Sequence, residues 1–588
     1  MASIRKHFLL AAAWCIAWCL GTLAPAAEAA PVLLKPVAVK ASATSADSRA
    51  DDATDGDVNT HWVSGKFPKQ WIQLDFGRPV AIGQIRLLTS QNPTGATTHT
   101  ISVGDDPNHL RVVRKFSGLT SDNQWLAHSG DGQHGDRLGH ARYVRITTTQ
   151  SPSWVAWREI EVYQGVEYLG YFGSDFEGQF TGDPAAETAA AGANLTWIRS
   201  FDKDVIGARL VAAETVKSKS VLVLDSQLFY IDDQGKLTLR PDDERHALLD
   251  VVSRVAADHE GTIAAVYALD EPYLNGVMTG TLQDQMRRYL LQAAADLRHY
   301  FPGKPVGAII SVDPREFDLE AKYFKMFDWV GFDCYGEWAA CGPVPKRSMR
   351  YLIDTLRSKL GPSQRMIATP WAFRYDDTGT GLQAQNELVD NINHWHAEVL
   401  GDGKYVAVAP FLWNSLDLNA NGIPDTGAKD LPWAKERVFQ MARQLLHPGD
   451  TQVFPVAVRA SGSYETNYPF AATDRDNADK WNAGGPATQW IEFDLGGSRP
   501  ISKVQLLTAQ SPAGATAHQL YGAGHDSGTG ACPAELGGYA PLGDAWVGVT
   551  DDNQWLSWKG TANIACLRVV TTQSPSWVGW REISIWRR

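Results

Sequence analysis

The segment Thr148-Thr-Gln-Ser-Pro-Ser-Trp-Val-Ala-Trp-Arg-Glu-Ile160 recurs near the C-terminus as Thr571-Thr-Gln-Ser-Pro-Ser-Trp-Val-Gly-Trp-Arg-Glu-Ile583, the two differing only at Ala156 and Gly579. Further matches keep the same order: Asp122-Asn-Gln-Trp-Leu126 with Asp552-Asn-Gln-Trp-Leu556, Leu87-Leu-Thr with Leu506-Leu-Thr, and Gly95-Ala with Gly514-Ala. Copies this far apart mark two homologous modules rather than a short-period solenoid. Modules over 35–165 and 449–588 therefore flank a distinct central region, 166–448, and each of the three is long enough to bury a core of its own.

Within each module, apolar and polar residues alternate, as in Trp71-Ile-Gln-Leu-Asp-Phe76 and Trp490-Ile-Glu-Phe-Asp-Leu495, with turn residues between short runs. This predicts antiparallel β-sandwiches. Ala53-Thr-Asp-Gly-Asp-Val-Asn-Thr-His-Trp62, Trp71-Ile-Gln-Leu-Asp-Phe-Gly77, Ile85-Arg-Leu87 and Arg158-Glu-Ile-Glu-Val-Tyr163 carry a resemblance to the discoidin, or coagulation factor 5/8 type C, domains and their carbohydrate-binding family 32 relatives. The resemblance implies a jelly-roll sandwich and a structural calcium held by hard oxygen ligands. Asp55, Asp57, Thr60 and Glu159 match the ligand positions in the first module, and Asp474, Asp476, Asp479 and Glu582 in the second, where Arg475 replaces the usual glycine. Gln91, His99, Asn123, Trp125 and Trp154 match Gln510, His518, Asn553, Trp555 and Trp577. Identical loop residues in both copies point to a shared glycan ligand, bound with avidity by two linked modules.

The central region alternates short apolar runs with helical stretches, the pattern of a parallel α/β architecture. Runs at 168–173, 195–201, 220–225, 263–269, 306–312, 329–335, 366–371 and 406–413 predict a (β/α)8 TIM barrel. No glycine-rich dinucleotide loop follows the first run, which argues against a doubly wound sheet. In such barrels the catalytic groups sit at the C-terminal strand ends. Those positions hold Asp175, Glu177, Arg199, Asp225, Asp270, Glu271, Tyr273, Asp333, Tyr335, Trp371, Trp413 and Asn414. Carboxylates and aromatic rings together suit a sugar cleft, which needs an acid for the leaving oxygen, a carboxylate facing the oxocarbenium-like transition state, and stacking platforms.

Val266-Tyr-Ala-Leu-Asp-Glu-Pro-Tyr273 resembles the fourth-strand Asn-Glu-Pro signature of the large (β/α)8 clan of retaining glycosidases. The resemblance implies Glu271 as general acid/base, with Asp270 beside it. The clan's strand-seven nucleophile has no counterpart in Ala368-Thr-Pro-Trp-Ala-Phe373, so Asp225 and Asp333 are the available carboxylates. The adjacent Asp-Glu pair also resembles that of the β-N-acetylhexosaminidases, and the route stays open among retaining, inverting and substrate-assisted. Asp417-Leu-Asn-Ala-Asn-Gly-Ile-Pro-Asp425 has EF-loop-like oxygen spacing but lacks the closing glutamate, leaving calcium and a plain polar loop as equal readings.

Arg5 and Lys6, an apolar stretch over 8–23 and Ala27-Glu-Ala29 predict a secretory signal peptide, 1–29, and hence a secreted or periplasmic chain. Beyond it remain Cys334, Cys341, Cys532 and Cys566, whose spacing predicts two local disulfides and matches no zinc pattern. A net charge of −12 disfavours nucleic acid as a partner, and no further apolar run is long enough to span a membrane. The 22 tryptophans suit sugar stacking and core packing alike. The expected function is a glycoside hydrolase acting on a polysaccharide or glycan without a catalytic cofactor. The alternative is a non-catalytic glycan-binding or adhesion protein with a degenerate barrel. A metal-dependent deacetylase or a lyase is disfavoured, since no His cluster lies at the strand ends. Nothing in the sequence specifies an oligomeric state.

Overall fold

In the long strand Gln70–Thr89, the apolar residues Ile72, Leu74 and Phe76 are buried at every second position, and Val80 and Ile82 repeat the spacing beyond Gly77. The computed structural model describes residues 33–128, 138, 140–176, 182–278, 280–342, 346–361, 363–376, 378–400, 402–418, 421–447, 451–526 and 529–587. The expected signal peptide and Glu177 lie outside the described residues. Gln70–Thr89 serves two antiparallel sheets, pairing first with His140–Gln150 and then with Ala156–Gln164. Its register shifts between Asp75 and Val80, and the strand passes from one sheet to the other at Ala81 and Ile82. The aligned inner faces bury Trp62, Trp157 and a set of aliphatic residues.

The C-terminal sheets repeat these pairings. Gln489–Thr508 pairs with Trp555–Gln573 and Gly579–Arg587. Trp481 lies across from Trp580 as Trp62 does from Trp157, and all four rings are buried. Cys532–Cys566 and Cys334–Cys341 are disulfide-bonded.

Between the two, nine parallel strand segments run in the order Asp175–Phe176, Leu195–Arg199, Lys219–Val223, Ile263–Tyr267, Val306–Ser311, Trp329–Asp333, Arg365–Ala368, Tyr405–Val408 and Tyr168–Leu169. The first and last of these belong to one stretch, 168–176. Gly170 N–H donates to Val408 O at 3.0 Å, and Asn194 N–H donates to Leu169 O at 2.9 Å, so the stretch is bonded on both sides. This order is compatible with the expected (β/α)8 barrel. Each expected run overlaps a strand, and the hairpin Phe229–Ile231/Leu237–Leu239 is an addition the periodicity does not announce.

Phe172, Trp197, Tyr267 and Trp329 fill the inner face of the parallel sheet, with Trp197 and Tyr267 edge-on at 5.4 Å. Amphipathic helices cover the outer face. Helix Pro184–Ala190 starts at Asp183, whose side chain accepts from Ala186 N–H, and helix Met349–Lys359 starts at Ser348, which accepts from Tyr351 N–H.

The three sheet systems touch. A Cβ on Gly83 would stand 2.7 Å from the Cα atoms of both Gly165 and Gly403, so only glycine permits this approach of the first sandwich to the central region. Gly496, at φ 71°, lies against Leu400 from the C-terminal side. Among the described residues, no helix is long and apolar enough to cross a membrane.

Candidate functional site

Strand Ile263–Tyr267 ends three residues before Asp270, and Pro272 opens the helix Pro272–Met278. A proline disfavours right-handed helical backbone in the residue before it, and Glu271 adopts φ 38°, in the left-handed region. Such a backbone costs on the order of 1 kcal/mol and persists only where its surroundings hold it. Glu271 N–H donates to Ile309 O at 2.9 Å, and Asn275 N–H donates to Glu271 O at 3.0 Å. Two residues on, Tyr273 N–H donates to the Glu316 carboxylate at 3.2 Å.

Asp270 accepts a hydrogen bond from Tyr267 Oη at 2.9 Å, and Tyr267 Oη in turn accepts from Ile309 N–H at 2.7 Å. Burial pushes the Asp270 carboxyl well above the usual carboxylate range, and the charge of Asp225 adds to this. Burial and then the Asp270 charge raise Glu271, and burial with the Asp270 and Glu271 charges raises Asp333. All three keep part of their surface open to solvent. Opposing carboxyls in so little water hold protons that isolated ones release. Beside them, Arg199 binds Asp225 bidentately at 3.0 and 2.8 Å, and Tyr335 stacks on Phe411 at 5.0 Å.

The parallel sheet therefore brings Arg199, Asp225, Asp270, Glu271, Asp333 and Tyr335 to one end. Other strand-end residues turn elsewhere. Asp175 faces the helical layer, where it pairs with Arg209 of helix Lys203–Thr215 at 3.1 Å, and burial pushes its carboxyl up to about 6. Trp413 packs on Tyr171 in the outer core, and Asn414 Nδ2 donates to the Gly173 and Ser174 carbonyls. Trp371 also packs in the outer core, under the Arg374 guanidinium. Tyr273 is buried, with Arg315 over its ring. Substrate contact for these five conflicts with where their side chains point: Asp175 into the helical layer, Trp371 and Trp413 into the outer core, Asn414 onto nearby carbonyls, and Tyr273, on helix Pro272–Met278, against Arg315.

Glu316 is a residue that strand-end reading misses. It is fully buried and accepts from Ser311 N–H and Oγ, Tyr323 Oη and Tyr273 N–H. Burial pushes its carboxyl up to about 7 against those four donors. Its signal in the sequence was its place three residues after Asp313, on the first turn following the fifth strand.

In the first module, Thr60 Oγ1 lies 2.9–3.2 Å from the Asp55 carboxylate, Asp52 O and Asp57 O. Glu159 accepts from Gly56 N–H, and burial raises its carboxyl to about 7. In the second, Asp474 and Asp479 stand in hydrogen-bonding contact, both raised by burial, and Asp479 Oδ1 is buried without a partner. Asp476 caps its own turn, donating through its N–H to Asp474 and accepting from Ala478 N–H. Burial raises Glu582 to about 7. Arg475 keeps the left-handed backbone of Gly56, at φ 66°, and sends its guanidinium out to Glu436. Both oxygen sets fit a hard divalent cation. His525 also approaches Cys532 and Cys566, but those sulfurs are joined in a disulfide and unavailable to a metal.

Several loop residues shared by the modules are framework. Gln91 is buried, bonding Pro93 O, Ser151 and Ser153, and Gln510 does the same with Pro512 O, Ser574 and Ser576. His99 and His518 are buried against Thr148 and Thr571, and burial lowers both rings to about 4. Asn123 and Asn553 hold left-handed turns at φ 56°. Their retention in both copies thus has a packing reason. Trp125, Trp154, Trp555 and Trp577 are the exposed members.

The family model of the F5/8 type C domain matches residues 38–160. No curated protein matches the chain. Similar solved structures each cover about a fifth of it. The family 32 carbohydrate-binding module of AlyQ, in complex with 4,5-unsaturated mannuronic acid, is 26% identical over 22% of this chain and 98% of that one, with a TM-score of 0.19. The family 32 module of NanJ from C. perfringens, in complex with galactose, is 18% identical over 22% and 93%, with a TM-score of 0.19. Chitosan-binding module 1 of the chitosanase/glucanase from Paenibacillus sp. IK-5 is 24% identical over 23% and 98%, with a TM-score of 0.19. The family match, the two paired sheets and the buried Trp62–Trp157 pair agree that residues 38–160 form an F5/8 type C domain.

Proposed function

We propose that the chain is a secreted or periplasmic glycoside hydrolase whose (β/α)8 barrel, 166–448, cleaves a polysaccharide or glycan. Carbohydrate-binding modules at 35–165 and 449–588, the second also of F5/8 type C descent, deliver it. The observation that carries this reading is the group of Asp270, Glu271 and Asp333, whose burial and mutual charge keep protons on carboxyls. Glu271 is the general acid: a carboxyl protonated above its ordinary range donates to the leaving glycosidic oxygen. Tyr267 orients Asp270, while Arg199 positions Asp225. Asp225, ion-paired with Arg199, and Asp333, once it has lost its proton, are the carboxyls available to face the positive charge that develops on the sugar. Tyr335 supplies an aromatic wall.

Calcium would be held in the first module by Asp55, Asp57, Thr60 and Glu159 and in the second by Asp474, Asp476, Asp479 and Glu582. There it would neutralise crowded oxygens and tie the turn to the last strand.

Reducing-end release from a glycan panel by wild type and by Glu271→Gln tests the proposal. Release that falls at least about 100-fold in the variant supports it, and equal release by both proteins removes Glu271 from the chemistry. Glycan binding without any release by wild type favours the non-catalytic alternative.

A further inference from the structure

A cleft of about 540 Å³ opens at one end of the C-terminal sandwich, lined by Lys480, Asn482, Ser511, Ser574, Ser576 and Trp577 among others, none of them acidic. Trp577 is 43% exposed, and its ring is braced edge-on by Tyr464 at 4.9 Å, which leaves an indole face for a sugar ring.

The acceptors of this cleft are already engaged. Asn482 Oδ1 accepts from Gly484 N–H at 2.9 Å. Ser576 Oγ accepts from Gln510 Nε2 and donates to Trp577 O, and Ser574 Oγ donates to Gln510 Oε1. Among the described residues, Lys480 Nζ, Asn482 Nδ2 and Ser511 Oγ make no hydrogen bond or ion pair, so each has a donor to offer a ligand, Ser511 Oγ can also accept, and the Lys480 ammonium carries a full positive charge. Asp552 feels the Lys480 charge but is bound bidentately by Arg581. A ligand matching an indole platform, two neutral donors and an ammonium is a sugar that bears a carboxylate.

The first module differs where this matters. The buried pairs Trp62–Trp157 and Trp481–Trp580 align the copies, placing His61 where Lys480 stands, Val63 at Asn482 and Asn92 at Ser511. At the positions of Lys480 and Asn482 the first module thus carries an imidazole and an apolar side chain, while its lysine in this loop, Lys66, stands where the second module has Gly485.

Resting on the reading of these modules as glycan binders, we infer that the C-terminal module is specific for uronic-acid units, its Lys480 ammonium pairing with the sugar carboxylate over Trp577, and that the first module does not share this ligand. The tandem then recognises two different features of one acidic polysaccharide rather than one feature twice.

The test is calorimetric titration of the full chain with hexamers of galacturonate, mannuronate and glucuronate, each beside its carboxyl-reduced neutral counterpart. At least one uronate hexamer is expected to bind about tenfold more tightly than its counterpart. That advantage shrinks at about 0.5 M NaCl, where charges are screened within a few ångströms. It disappears in Lys480→Met and returns in Lys480→Arg, Trp577→Ala weakens both members of the pair, and Trp154→Ala leaves the uronate preference in place. Equal affinity for charged and neutral members, uronate binding untouched by Lys480→Met, or no uronate bound overturns the inference. Neutral glycans bound through Trp577 without a uronate preference overturn the inference alone, whereas a chain that binds no saccharide overturns the module reading with it.

Discussion

Asp105 Oδ2 of the first sandwich stands 3.8 Å from Arg587 Nη1 on the last strand of the chain, both side chains 5% exposed. Burial raises the Asp105 carboxyl, while Arg499, Arg587 and Arg142 pull it back. The two end modules therefore meet through buried charge. Removing one partner of a buried pair leaves the other uncompensated, at a cost of about 3–5 kcal/mol. Asp105→Ala should lower the unfolding midpoint in calorimetry, and by more than Asp106→Ala at its half-exposed neighbour.

The pH dependence of hydrolysis follows from the direction of the Glu271 shift. A general acid works while protonated, so activity falls as pH rises through its pKa. That pKa lies above the ordinary glutamate value because of burial and Asp270. Asp270→Asn removes the like charge, so the alkaline limb of kcat/KM should move toward lower pH. A limb that stays in place would detach Asp270 from Glu271.

Glu316 positions the turn that carries Glu271, through Tyr273 N–H and Ser311. In Glu316→Gln an amide nitrogen must face donors, and each buried group left unsatisfied costs about 1–3 kcal/mol. The expected result is a lowered unfolding midpoint together with a drop in kcat at nearly constant KM. Loss of stability with kcat intact would reduce Glu316 to a structural role.

Calcium at the two oxygen clusters should stabilise by mass action, about 2.7 kcal/mol at a hundredfold excess over Kd. Millimolar Ca²⁺ should raise the unfolding midpoint and EDTA reverse it. Asp55→Ala and Asp474→Ala should each remove one part of the rise. Without an ion, Glu159 and Glu582 have folded-state pKa values near 7, above their unfolded values. Their stabilisation is then present in acid and lost as pH rises from about 4.5 toward 7. Added Ca²⁺ should flatten that loss.

The Cys532–Cys566 bond, 34 residues apart, restrains the unfolded chain by about 3–4 kcal/mol. Reduction, or a Cys532→Ser/Cys566→Ser double variant, should lower the midpoint of the C-terminal transition. The first module has no counterpart of this bond, and its transition should hold.

The sequence by itself determined what depends on local order: two like sandwiches from the repeat, parallel strands from the apolar runs, disulfides from cysteine spacing, and Asp270-Glu-Pro272 as the chemical turn. Each is written within one strand, turn or short loop, where periodicity and backbone preference suffice. Which way a strand-end side chain points is a tertiary matter. Asp175 looked like a cleft residue and faces Arg209, because the face a residue occupies depends on the register of its neighbours. Gln91 and His99 looked like ligand contacts and are packing, because identity between copies does not separate binding from burial. Glu316 went unseen because its three partner residues, Tyr273, Ser311 and Tyr323, lie on other elements. The contact of Asp105 with Arg587 joins positions that lie far apart in the sequence. No sequence pattern announces it, since only the folded chain brings those charges out of water together.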